Sequence, residues 1–218
     1  MTLLSPPEKN LQVSVVVPAH NEEELVGACL EALAAQESIA PDEYEVILVL
    51  DNCTDNTELR AREVSDVHPR LRLHFLEGTV EGAGHARRVG MDLACKRLLN
   101  VGRPSCLIAS TDADTIVAPD WLSTQLAHAA RGARAIGGRI ELTEEKSLPE
   151  NVALWRHNQG NNRHQDLLAE HGDTNTSVME HWQFSGASMS LTAAVYMEIG
   201  GLEPLSALED EYLERVLR

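Results

Sequence analysis

Two carboxylates one residue apart, Asp112 and Asp114 in TDADT, directly follow the apolar run CLIAS. In an extended segment a period of two puts both side chains on one side. An oxygen pair at the end of a strand is the donor set Mg²⁺ or Mn²⁺ uses when it bridges to phosphates. A solvated aspartate turn leading into the next helix, with Asp120 in its first turn, accounts for the same letters. Asp51 holds the equivalent place after VILVL, where a carboxylate can accept hydrogen bonds from a nucleobase N–H or a ribose hydroxyl. The alternative there is an Asx turn, and Asp55 is assigned to that role, capping the next helix.

A third group is GAGHARRVG, residues 82–90. Its glycines let a backbone come close, a helix start attracts anions, and guanidinium forks on Arg87 and Arg88 match phosphate oxygens, so a diphosphate fits here. A flexible turn with solvated arginines is the plainer reading. The spacing is neither the dinucleotide fingerprint nor a Walker A loop. Near the end, Ser206-x-x-Glu209 is a capping-box pattern that explains Glu209 structurally, and Glu211 with Arg215 and Glu214 with Arg218 are i,i+4 pairs. Asp210 has neither explanation, which leaves it available as a general base for a hydroxyl nucleophile. His157, His164 and His171 are spaced too far apart on a helix, about 10.5 Å, to share one ion, and they are read as non-ligands. Trp155 and Trp182 suit sugar stacking or, more commonly, a core.

Positioning these groups requires strands that end where the carboxylates begin. Apolar runs alternate with amphipathic stretches, the pattern of a mainly parallel sheet with crossover helices. Strands are expected at 13–17, 46–50, 71–76, 106–110 and 134–142, and helices at 22–36, 55–67 and 83–98, with another after Pro119. The first helix is expected to bury a stripe of Leu25, Cys29, Leu30 and Leu33. Two helices, 192–199 and 206–218, close the chain. Residues 148–183 read as a loop-rich insertion of the kind that carries specificity. The whole is expected to be one α/β domain, Rossmann-like, with a nucleotide-binding half at 13–115 and an acceptor-side half at 116–218.

The composition excludes other classes. The 218 residues are 43% hydrophobic and 24% charged, which suits a folded core. A formal charge of -16 and only three Trp, three Tyr and two Phe argue against a nucleic-acid partner. An anionic ligand must therefore find local positive charge in a few arginines or a bound cation. Cys29, Cys53, Cys95 and Cys106 form no C-x-x-C pair and are expected as reduced, mainly buried thiols. No segment approaches the ~18 apolar residues of a membrane span and no leader is visible, so the chain is expected to be soluble and cytoplasmic.

Taken together, residues 13–142 and 185–218 resemble glycosyltransferase family 2, with its GT-A nucleotide-sugar-binding fold. VSVVVPAHNEEE resembles the family's first strand and P-A-x-N-E turn, which implies Pro18, Ala19, Asn21 and Glu22 beside the nucleoside. VILVLDNCTDNT resembles the second strand, with Asp51 on the base. GAGHARRVG resembles the segment facing the diphosphate, with Gly84 and Arg87 on family positions and Arg88 where Asn is usual. TDADT resembles the D-x-D motif, with Asp112 on the ribose and Asp114 on the metal, and ALEDEYLERVL resembles the E-D motif (Glu209, Asp210), whose Asp is the base of inverting members. Five motifs in the right order make chance agreement improbable.

The resemblance implies a UDP- or GDP-sugar donor, a Mn²⁺ or Mg²⁺ cofactor, and an acceptor hydroxyl on a saccharide, a lipid-linked molecule or a small molecule, attacked with inversion. Residues 141–218 carry five Lys plus Arg against fourteen acids, which favours a neutral acceptor. Two alternatives stay open: a retaining GT-A transferase of the glucosyl-phosphoglycerate synthase kind, and a non-catalytic nucleotide-sugar-binding module.

Overall fold

The run VSVVVPA forms strand β1 (Val13–Ala19), and every one of its residues is buried. Such a run has no polar face to turn to water, so it must lie inside a sheet covered on both sides. A computed structural model describes residues 4–78, 82–141, 184–203, 205 and 209–217, and shows that covering. After β1 come α1 (Val26–Ala34), β2 (Tyr44–Asp51), α2 (Thr57–Val67), β3 (Leu73–Gly78), α3 (Ala83–Asn100) and β4 (Leu107–Ser110). Then follow α4 (Trp121–Ala130), β5 (Ala135–Gly137), β6 (Met189–Thr192), α5 (Ala193–Glu198) and α6 (Glu209–Leu217). The six-stranded sheet has the order β3-β2-β1-β4-β6-β5. β1 to β4 are parallel, and β6 lies antiparallel between β4 and β5.

This order places a topological switch between β1 and β4. From β1 the chain steps outward to β2 and β3 with α1 and α2 on one face, then returns past β1 to β4 with α3 on the other. Right-handed crossovers require the change of face when the direction reverses. Two apolar layers result. Val13, Val15, Val17, Leu48 and Leu50 pack toward α1, α2 and α4, whereas Val16, Ile47, Val49, Met189 and Leu191 pack toward α3, α5 and α6. A ligand crevice is expected beyond the carboxyl ends of strands at such a switch.

Several expectations are corrected. The first helix starts at Val26, and Glu22 to Leu25 form a turn in which the Leu25 N–H donates to the Glu22 carbonyl. Val26 therefore joins the buried stripe, while Leu25 is 45% exposed. The fifth strand is only three residues long, and β6 had no counterpart in the sequence reading. The segment after β4 is not extended: the Thr115 N–H donates to the Asp112 carbonyl, closing a turn around Ala113 and Asp114. Asp120 sits at the N-cap of α4 rather than within its first turn. The Asx turn at Asp55 is present, its Oδ1 accepting from the Thr57 amide at 3.0 Å and hydroxyl at 2.6 Å. All four cysteines are free thiols. Burial, with Asp112 and Asp114 nearby, pushes the Cys29 thiol up to about 12, so it stays protonated. No helix among the described residues is long and apolar enough to cross a membrane. The insertion 148–183, with its Trp and His residues, and Ser206 lie outside the described residues.

Candidate active site

The carboxyl ends of β1, β2 and β4, the start of α3, the 185–186 turn and the start of α6 enclose a cleft of about 810 Å³. Pro18, Ala19, Glu22, Asp51, Arg87, Asp112, Asp114, Glu209 and Asp210 all line it. Residues nearly two hundred positions apart thus meet at the switch point. Asn21, Gly84 and Arg88, all singled out from the sequence, do not line it. Asn21 adopts φ 56° and its Oδ1 accepts from the Thr54 amide at 2.8 Å, so it fastens the loop after β2. Gly84 is buried under the start of α6: a Cβ there would lie 2.1 Å from the Leu205 carbonyl oxygen and 3.1 Å from Glu209 Cβ. Its small size admits the Leu205 backbone and the first residue of α6.

Asp51 ends β2 at 3% exposure, and its carboxylate accepts from Asn52 Nδ2 at 3.0 Å and the Gly82 amide at 3.2 Å. It thereby fixes where α3 begins. Asp114 is exposed, and among the described residues its side chain makes one long contact, 3.5 Å from the Thr115 hydroxyl. Burial and repulsion from Asp114, Asp55 and Asp112 hold the Glu22 carboxyl above the usual range, with His20 opposing them. Asp210 Oδ2 accepts from the Gly186 amide at 3.1 Å and Oδ1 from the Glu211 amide at 2.9 Å.

Arg87 is the buried cation of the cleft, 3% exposed. Its Nε donates to Glu209 Oε1 at 3.0 Å, Nη1 to Ser110 Oγ at 2.5 Å and the Gly186 carbonyl at 3.1 Å, and Nη2 to Asp112 Oδ1 at 2.7 Å. Burial works against the charge, but Asp112 and Glu209 outweigh it and raise the Arg87 pKa further. Glu209 gives a carboxylate oxygen to this pair; its capping-box partner Ser206 lies outside the described residues. Arg88 stays outside the cleft, 3.8 Å from Asp92.

Sequence reasoning missed His20, Ser110, Ser185 and Gly186. His20 is the variable letter of P-A-x-N-E, and its Nδ1 lies 2.6 Å from the Asp51 carbonyl oxygen. Ser110, the last residue of CLIAS, receives Arg87 and donates to the Val16 carbonyl at 3.1 Å. Gly186 must be glycine because a Cβ would come within 2.4 Å of Arg87 Nη2; nothing in the local sequence marks that.

Hard oxygen donors suit a divalent cation, and Mg²⁺ commonly needs only one or two protein carboxylates when phosphates and water complete its shell. No preformed group of three or more ligands exists among the described residues. The acidic side chains of Glu22, Asp51, Asp112, Asp114 and Asp210 far outnumber the cations of the cleft, so an anionic ligand needs a cation to accompany it. The donor set fits one held by Asp114 and shared with Asp112.

A mainly parallel sheet with its cleft at the switch point, walled by D-x-D and E-D carboxylates, defines the GT-A class of fold. The chain belongs to glycosyl transferase family 2, whose model matches residues 14–190. It is 27% identical over 132 residues to glycosyltransferase AglE of Haloferax volcanii, covering 60% of this chain and 40% of that protein. It is 38% identical over 94 residues to dodecaprenyl-phosphate galacturonate synthase of Rhizobium johnstonii, 43% of this chain and 28% of that one. Among solved structures, the mannosyltransferase PcManGT of Pyrobaculum calidifontis with GDP-Man and Mn²⁺ superposes with TM-score 0.61 at 18% identity, over 96% of this chain and 52% of that chain. TarS 1-349 of S. aureus with UDP-GlcNAc gives 0.64 at 18%, over 92% and 51%. The chain thus spans about half or less of the length of these proteins.

Proposed function

We propose that the chain transfers a sugar from a UDP- or GDP-sugar to an acceptor hydroxyl, with inversion. The observation that carries this reading is the meeting of Asp51, Asp112, Asp114 and Asp210 in one cleft at the sheet's switch point. Family membership and the nucleotide sugars named with the similar structures support the donor class.

Asp51 and Ala19 would receive the nucleoside at the ends of β2 and β1. Asp114 and Asp112 would hold Mn²⁺ or Mg²⁺, which when bound supplies Lewis-acid stabilisation of the charge on the departing diphosphate. Asp210, aimed by the Gly186 and Glu211 amides, would take the proton of the acceptor hydroxyl. As the acceptor oxygen bonds to the anomeric carbon, the bond to the diphosphate oxygen breaks and the nucleoside diphosphate leaves with its electron pair. A single displacement of this kind inverts the anomeric centre.

Asp210→Asn is expected to lower transfer to a hydroxyl acceptor at least 100-fold, within the range usual for a general base, while the Kd for donor with Mn²⁺ stays within threefold. Turnover at the wild-type rate would remove Asp210 from the mechanism. The name of the Rhizobium relative brings in a second acceptor class, a polyprenyl phosphate. A phosphate monoester is already ionised near neutral pH and needs no base, so in that case the Asn variant would keep most of its activity with a phosphate acceptor and lose it only with a hydroxyl.

A further inference from the structure

The family resemblance assigns Arg87 to the diphosphate, but its hydrogen bonds are already committed. A guanidinium has five N–H donors. Four protein acceptors (Glu209, Ser110, Gly186 and Asp112) receive from Arg87, which leaves one donor for any ligand. Such a side chain is poorly placed to clamp a diphosphate and well placed to hold its neighbours.

We infer that Arg87 is a positioning residue: a buried strut that ties the D-x-D turn, the end of β4, the Gly186 peptide and the start of α6 into one geometry, and so sets where Asp210 faces the donor. The inference rests on the transferase reading. Its strongest support is Gly186, whose backbone is held on both sides of its Cα, through two successive peptide groups. Its carbonyl accepts from Arg87 Nη1 at 3.1 Å, and its amide donates to Asp210 Oδ2 at 3.1 Å. Moving the guanidinium therefore moves the group that aims the proposed base. Glu209, adjacent to Asp210 and 5% exposed, gives the second hold through Arg87 Nε. Ser110 closes the chain back to the sheet by donating to the Val16 carbonyl, so the strut bears on β1 and β4. Two close approaches would be blocked by any larger residue, Gly84 against the Leu205 carbonyl and Gly186 against Arg87. Both glycines serve the strut. The diphosphate charge is then left to the cation.

Two conservative variants test this. Arg87→Lys keeps the charge but cannot make the four bonds at once, and Glu209→Gln keeps the shape and an oxygen for the Nε–H while removing the charge. Both are expected to lower kcat at least tenfold while the Kd for donor with Mn²⁺ stays within threefold of wild type and the calorimetric stoichiometry is unchanged, which separates the effect from loss of folded protein. A thermal-unfolding cycle of Arg87→Met, Glu209→Leu and the double variant supplies a readout that needs no activity. The losses should be less than additive, because Arg87→Met strands the buried Glu209 carboxylate that Glu209→Leu then removes, whereas in Glu209→Leu alone Arg87 keeps Asp112. Donor affinity falling in step with kcat would make Arg87 a diphosphate ligand and overturn the proposal, as would additive stability losses or unchanged kcat in Glu209→Gln. A wild-type chain that binds no nucleotide sugar would defeat the transferase reading instead, and the unfolding cycle would still decide whether the strut exists.

Discussion

Asp112 and Asp114 stand one residue apart and answer to different forces. Asp112 neutralises a guanidinium that is almost wholly out of water, so Asp112→Ala should cost about 1–3 kcal/mol of stability, the range for losing a hydrogen bond to a buried charge. Asp114 is exposed, with a single long contact, to Thr115, among the described residues. Asp114→Ala should change stability by less than about 0.5 kcal/mol, yet weaken Mn²⁺-dependent nucleotide binding at least tenfold in calorimetry. Equal destabilisation of the two variants, or unchanged affinity in the second, would contradict the separate roles. The motif is legible as letters; which Asp is tethered and which is free is decided by Arg87, twenty-five positions away from Asp112.

At the scale of elements, α6 reaches the cleft only because the second residue of α3, Gly84, has no side chain. A Cβ at position 84 would sit 2.1 Å from the Leu205 carbonyl oxygen and 3.1 Å from Glu209 Cβ, so Gly84→Ala must push Leu205 and Glu209 outward. We expect kcat to fall at least tenfold, with donor affinity less affected and the chain still folded by circular dichroism. A variant with wild-type kcat would show that α6 can move without consequence. The same elements show what the sequence made readable. β1 and β2 were plain because runs such as VSVVV and VILVL are buried on both faces and admit few alternatives. β6 was not, because its four residues alternate Met and Leu with Ser and Thr, and Ser190 and Thr192 are themselves buried; Ser188, just before the strand, accepts from Trp121 Nε1 of α4 at 2.9 Å. A short strand whose inner face is polar looks like a loop until its neighbours are known. Asn21 and Gly84 were recognised as belonging to motifs, but the tasks they perform, fastening a loop and admitting a helix, depend on contacts with Thr54 and Leu205 that no local pattern encodes.

Across the whole molecule, the end of the sheet opposite the cleft is bolted by a buried charge cluster that plays no part in the chemistry. Glu45 on β2 accepts from Arg97 Nε at 2.7 Å and Nη2 at 2.6 Å and from Ser14 Oγ at 2.9 Å, with His74 Nε2 3.3 Å away. Burial alone would raise the Glu45 pKa, but its bonds to Arg97 and His74 prevail and hold it at about 2, against 4.5 for a free side chain. A carboxyl depressed in the folded state contributes stability that is complete above its unfolded pKa and fades as pH falls from about 4.5 toward about 2. Glu45→Gln should therefore flatten the stability profile over that window in urea titrations, and Arg97→Leu should cost about 3–5 kcal/mol by stranding the carboxylate. A wild-type profile unchanged in Glu45→Gln would contradict the assignment. The two ends of the sheet thus divide the work, one carrying a closed ion cluster and the other an open, acidic cleft.

The function of that acidic cleft is tested most directly by calorimetric titration of the chain with a panel of UDP- and GDP-sugars, with Mn²⁺ and then with the metal chelated. At least one nucleotide sugar should bind with Mn²⁺, and chelation or Asp51→Ala should weaken it at least tenfold. Binding by no member of the panel, or binding that neither chelation nor Asp51→Ala alters, would contradict the proposed function.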